Sequence, residues 1–138
     1  MRTRFLIGTL GCFVATLALA AFPVLGASQA SPLTEPCTIT GTGGDDNLLD
    51  TNGHDVICGR GGNDTIDAAG GDDVVRGGKG ADRIVGGAGR DYLYGNGGND
   101  TIWSYDGTRD HVYGGKGLDR LPRHDRLLDV VRNIESFS

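Results

Sequence analysis

Positive charge is scarce in this chain of 138 residues, with 13 Lys and Arg against 18 Asp and Glu. Nucleic acid is therefore excluded as a partner, because binding it takes clustered basic side chains that displace counterions. Cysteine and histidine number three each, and no Cys-Cys or His-His pair stands at the short spacing of a soft-metal site. No serine lies in a nucleophile-elbow sequence. Lys79 and Lys116 are each followed by glycine, which rules out a phosphate-binding P-loop. No segment combines alternating acidic ligands, a central glycine and a glutamate at the twelfth position, so an EF-hand is absent too. No catalytic residue is expected.

Glycine, by contrast, is abundant: 25 residues, of which 22 lie between Gly41 and Gly117. They belong to a phrase of nine residues repeated nine times over residues 41–122, as in GRGGNDTID, GGKGADRIV and GGAGRDYLY. Every copy has glycine at its fourth position, from Gly44 to Gly117, followed by an aspartate and then an aliphatic residue, from Leu48 to Leu121. The recurring aspartates are Asp46, Asp55, Asp64, Asp73, Asp82, Asp91, Asp100, Asp110 and Asp119. The eighth copy, SYDGTRDHVY, holds one extra residue between Gly107 and Asp110.

Glycine at this density disfavours helix by about 1 kcal/mol per residue relative to alanine. The first half of each phrase suits a tight turn. The second half, such as Thr65, Ile66 and Asp67, alternates as a short strand does, with its central side chain inward. Two phrases then make one coil, with odd-numbered strands stacking in one sheet and even-numbered strands in the other. Stacked turns bring like-charged aspartates together, and that repulsion calls for a cation. Carboxylates and turn carbonyls supply only oxygen, which indicates a hard ion. Ca²⁺ suits irregular, carbonyl-rich turns better than Mg²⁺. Without it the chain is expected to be largely unfolded.

The phrases GGKGADRIV and GGAGRDYLY resemble the GGxGxDxUx nonapeptide of the repeats-in-toxin (RTX) calcium-binding family, and the resemblance covers residues 41–122. It implies an all-β fold, a right-handed parallel β-roll of nine repeats with short terminal caps at residues 31–40 and 123–138. It also implies that the nine aspartates from Asp46 to Asp119 are Ca²⁺ ligands, with turn carbonyls completing each shell. Nine turns divide as five and four on two edges, giving at most seven gaps between stacked turns. Several copies depart from the pattern. Asp50 and Asp106 stand where glycine or a neutral residue is usual, and either adds a ligand or adds repulsion. The tail is similar to the closing strands of such rolls, although Val131, Ile134 and Phe137 equally line one face of a short helix.

Ahead of the repeats, Arg2 and Arg4 precede an apolar run over residues 5–25 that ends in small residues. That layout predicts a secretory signal peptide over residues 1–30, with Ala27 and Ala30 both fitting as the cleavage point. An uncleaved anchor is the alternative, since the run is long enough to span a bilayer. Cleavage removes two arginines and leaves 108 residues of net charge −7, a secreted, extracellular domain with no membrane segment. Cys37 and Cys58 survive it, and an exported pair reads as a disulfide. A strict register holds them too far apart, so the bridge requires the first segment to leave the register.

On the outward positions, the even sheet gathers Val56, Val74 and Cys58 with Tyr92, Tyr94 and Tyr113. These residues either brace neighbouring strands or form a docking face for a protein or glycan. His54 and His111 occupy variable outward positions and are expected in solvent.

Overall fold

The computed structural model describes residues 33–124 and 128–136. The expected leader at residues 1–30 lies outside the described residues, as does Phe137 of the tail. Eleven strands follow one another: β1 (Ile39–Thr40), β2 (Asn47–Leu49), β3 (Val56–Gly61), β4 (Thr65–Asp67), β5 (Val74–Lys79), β6 (Arg83–Val85), β7 (Tyr92–Gly97), β8 (Thr101–Ser104), β9 (His111–Lys116), β10 (Arg120–His124) and β11 (Val130–Arg132). All pairing is parallel. One sheet has the order β1-β3-β5-β7-β9-β11 and the other β10-β8-β6-β4-β2. There is no helix among the described residues. The chain is a parallel β-roll, each strand pairing with the strand two phrases on.

Register follows the phrase. Ile57 lies over Val75 and Val75 over Leu93, while Ile66 lies over Ile84 and Ile84 over Ile102. These side chains meet between the sheets as a single file in which Ile57, Ile66, Val75, Ile84, Leu93, Ile102, Val112 and Leu121 are sealed from solvent. Leu48, at the open end, is only partly buried against that file. Pairing also runs past the nine phrases. Ile39 in β1 lies over Ile57, and Val131 in β11 lies over Val112, so strands rather than a helix close the far end of the six-stranded sheet.

At Gly62, Gly71, Gly80, Gly89, Gly98 and Gly117 the fourth glycine of the phrase is required twice over, whereas Gly107 is held to it by its φ alone and Gly44 and Gly53 by neither. Gly98 has φ 137°, a region that side chains disfavour, and a Cβ there would stand 1.9 Å from the carbonyl oxygen of Gly80 one coil away. Coils therefore stack backbone on backbone at this corner. The second position is looser, since Arg60, Ala69 and Asn96 all take positive φ there.

Two irregularities have local causes. The extra residue of the eighth phrase is absorbed in its turn, because His111 still pairs with Tyr92. In the regular turns the fourth-position N–H bonds a third-position carbonyl of the next coil, as from Gly80 to Gly97 at 2.8 Å. At the eighth phrase the Asp106 side chain replaces that carbonyl, accepting Gly89 N–H at 2.8 Å. The second irregularity is in β10, whose register shifts between Arg120 and Arg123. Pro122, which has no N–H to give the ladder, falls within the shift.

The outer face of the six-stranded sheet departs from expectation. Val56, Cys58 and Val74 point outward, yet they are 3%, 7% and 2% exposed. The segment before β1 crosses this face. It is tied down by the Cys37–Cys58 disulfide, with Cα atoms 5.9 Å apart, and by a hydrogen bond from Arg76 Nη1 to the Glu35 carbonyl at 3.1 Å. As the spacing required, the chain leaves the register before β1, so Cys37 reaches across the face to Cys58. His54 is exposed but lies against the Asp72 carbonyl and sits 3.3 Å from Glu35. His111 is not free in solvent either: its ring stacks on Tyr92 with centroids 4.6 Å apart. Tyr94 and Tyr113 stack likewise at 5.0 Å.

Candidate metal centre

Each phrase turns back at its aspartate, and the coil repeat places those aspartates one above another. Asp46, Asp64, Asp82, Asp100 and Asp119 form one ladder. Asp46 N–H donates to Asp64 Oδ1, Asp64 to Asp82, Asp82 to Asp100 and Asp100 to Asp119, all at 2.8–2.9 Å. Asp55, Asp73, Asp91 and Asp110 form the second ladder by the same bond. The ladder backbones also pair, as in Arg83 N–H to the Asp64 carbonyl at 2.8 Å. All nine sequence-predicted aspartates thus belong to two files, one along each side of the roll.

Both ladders continue into the tail. Asp110 N–H donates to Asp129 Oδ1 at 3.1 Å, and Asp119 N–H donates to Glu135 Oε2 at 2.6 Å. Neither acid was singled out from the sequence. Asp129 lies 19 residues beyond Asp110, the same step as from Asp91 to Asp110, so its signal was available. Glu135 follows Asp119 by only 16 residues and is a longer acid, which hides it from the nonapeptide frame.

The decisive detail is the second carboxylate oxygen. Asp64, Asp73, Asp82, Asp91, Asp100 and Asp119 are sealed from solvent, and the Oδ2 atom of each accepts no hydrogen bond. A buried, unpaired carboxylate oxygen is costly. Along the first ladder these oxygens face a slot left by the glycine that opens the phrase. A Cβ on Gly59 would meet Asp64 Oδ2 at 2.3 Å and the Gly77 carbonyl at 2.4 Å, and one on Gly95 would meet Asp100 Oδ2 at 2.3 Å and the Gly114 carbonyl at 2.6 Å. Carboxylate and carbonyl oxygens therefore converge on one space, repeatedly, and no donor from the protein satisfies the carboxylate Oδ2 atoms there.

The carboxyl groups carry the electrostatic mark of this arrangement. Burial pushes Asp73, Asp82 and Asp100 up to about 6 and Asp91 up to about 8. Asp64 and Asp119 are raised for the same reason. The backbone N–H bonds to Oδ1 oppose the rise, and neighbouring ladder carboxylates add to it. Such a site holds its charge only when a cation or a proton accompanies it. The donor set is all oxygen and anionic, which fits a hard divalent ion.

A family profile of the RTX calcium-binding nonapeptide repeat, four copies long, matches residues 40–75 and again residues 76–109. The chain belongs to this RTX repeat family. The two matches together span half of the chain and cover the first seven phrases and most of the eighth. No curated protein and no solved structure matches the chain. RTX repeats are calcium-binding repeats, and the β-roll with its paired aspartate ladders is consistent with that family.

Proposed function

We propose that this RTX protein is an exported module whose β-roll is ordered by Ca²⁺, with a structural or adhesive role outside the cell. The nine aspartates from Asp46 to Asp119 act as its carboxylate ligands, and turn carbonyls complete the shells. The single observation that carries the reading is the line of sealed Oδ2 atoms without hydrogen-bond donors. Bound Ca²⁺ supplies the positive charge that those Oδ2 atoms lack, and the facing glycine carbonyls join its shell. The protein itself fixes the spacing, because the Oδ1 of every ladder aspartate from Asp64 onward is already held by the N–H of the aspartate one coil before it. Asp46 and Asp55, at the ladder ends, are held by Thr42 and Thr38. Metal uptake and folding are then one process, since the unfolded chain has no preformed site.

Export is supported by the Cys37–Cys58 bridge, since disulfides persist in oxidising compartments. Affinities on the order of 10⁻⁴–10⁻³ M, typical of extracellular calcium modules, suit such a location. Tyr92, Tyr94 and Tyr113 are the residues that a protein or glycan partner would meet. Cross-strand stacking already accounts for their placement, so we assign no partner to them.

Circular dichroism of the intact protein, first in excess chelator and then titrated with Ca²⁺ or Mg²⁺, tests the reading. Strand signal that appears with Ca²⁺ and not with equimolar Mg²⁺ is the expected result. A fully ordered chain in chelator, with no metal retained, refutes it.

A further inference from the structure

The two ladders differ where each phrase begins. Every phrase of the Asp46 ladder opens with glycine, from Gly41 to Gly114, whereas those of the Asp55 ladder open with Asp50, Ala68, Gly86 and Ser104. At Asp50 this difference adds a third carboxylate. Asp50, Asp55 and Asp73 each offer an oxygen within 4.8 Å of the other two. Asp73 is sealed from solvent; its Oδ1 accepts the Asp55 N–H at 2.8 Å and its Oδ2 accepts nothing. Asp50 Oδ1 accepts the Thr51 N–H at 2.6 Å, while its Oδ2 is likewise cut off from solvent and from any donor.

We propose that Asp50, Asp55 and Asp73 form a three-carboxylate divalent-cation site, different in composition from the repeat sites, that binds Ca²⁺ most tightly and fills first. The proposal rests on the reading that the ladders take up Ca²⁺. Oxygens on opposite sides of a Ca²⁺ ion stand about 4.6–5.2 Å apart, because each bond is ~2.3–2.6 Å. The three acids therefore need no rearrangement of the coil to share one ion. Calcium affinity rises with the number of charged ligands and with the rigidity of the site, and this site has both. Its rigidity comes from the covalent tie beside it. Cys58 follows Asp55 by three residues and is bridged to Cys37, and Thr38 Oγ1 donates to Asp55 Oδ1 at 2.8 Å. In a linear stack, order spreads from whichever unit forms first. Ordering of this roll thus starts at the disulfide-bonded end and runs toward Asp129 and Glu135.

Isothermal titration of the metal-free, disulfide-bonded protein with Ca²⁺ tests this, using Asp50→Asn, Asp50→Gly and, as a charge-matched control at a neighbouring residue outside the three-carboxylate cluster, Asp67→Asn. The glycine variant restores the residue that opens the regular turns, so it disturbs the stack least. Both Asp50 variants are expected to lose the tightest binding event, with affinity there falling about tenfold or more, while dichroism still shows folding at higher Ca²⁺. Asp67→Asn is expected to match the wild type. Asp50 variants that keep the wild-type first event and stoichiometry overturn the three-carboxylate site alone. A wild type that takes up no Ca²⁺ overturns both this site and the calcium reading beneath it.

Discussion

Asp82 and Asp100, one coil apart, share a single hydrogen bond: Asp82 N–H reaches Asp100 Oδ1 at 2.9 Å, and the Oδ2 of each is left sealed and without a donor. One carboxylate oxygen therefore serves the backbone and the other is reserved. This division lets the ladder serve as a scaffold and, on the calcium reading proposed above, as a ligand set, and it separates two consequences that mutation can read.

Asp82→Asn keeps an acceptor for the Asp64 N–H while removing the charge. Its metal-free form should be no less ordered than the wild type, because a buried carboxylate has been replaced by a neutral amide. Its Ca²⁺ response should weaken by on the order of tenfold to a hundredfold, at least the range seen when ligand-supporting groups are lost. A dichroism titration checks it, and a midpoint equal to wild type would remove Asp82 from the ligand set.

Gly98→Ala should be severe for a different reason. Its Cβ would press on the Gly80 carbonyl at 1.9 Å and the residue would keep φ 137°, so strain alone costs about 1–3 kcal/mol before the coil separates. Asn96→Gly, at φ 74° and exposed, should be neutral or slightly stabilising. Denaturant unfolding in saturating Ca²⁺ distinguishes the two. Comparable losses at both sites would mean that backbone stacking at the fourth position does not govern the corner.

The contrast between these sites tracks what could be read from the residues. Strand positions, sheet membership and the inward file from Leu48 to Leu121 follow from one period, because the same contacts recur in each coil. What recurs nowhere stayed hidden. Residues 33–38 carry no phrase, so nothing in them announces that they cross the outer face to Cys58 and Arg76. Asp106 reads in the sequence as an added ligand or added repulsion, yet it replaces a backbone carbonyl in a lengthened turn. Glu135 closes a ladder from outside the frame. The disulfide could be paired by counting, but its geometry required the chain to leave the register, which no local pattern encodes.

Reducing the Cys37–Cys58 bridge should release the segment that it ties to the outer face. The bridged residues are 21 apart, and closing a loop of this size contributes about 3 kcal/mol in the chain-entropy account. Val56 and Val74 would then face solvent, together with the flank of Tyr92 and Tyr94 that packs against them. A Cys37→Ser and Cys58→Ser double variant should lose roughly 2–4 kcal/mol and bind a hydrophobic dye in Ca²⁺. Unchanged stability with no dye binding would show that the cap adheres without its covalent tie.

The raised carboxyl groups set the pH response, and its sign is opposite to that of ordinary salt-bridged acids. Asp82 and Asp100 at about 6 and Asp91 at about 8 lie above the unfolded value of about 3.9, so the metal-free fold binds more protons than the unfolded chain does. By linkage, their contribution to the metal-free fold is fully present below about pH 4 and is lost as pH rises through 6 to 8. Protons and Ca²⁺ compete for the same oxygens, so Ca²⁺ uptake should release protons and its apparent affinity should fall as pH drops from 8 to 5. Dichroism in chelator across pH 4–9, with the Ca²⁺ midpoint measured at each pH, reads both arms. Greater order without metal at pH 8 than at pH 5 would contradict a carboxylate ladder held in the protein interior.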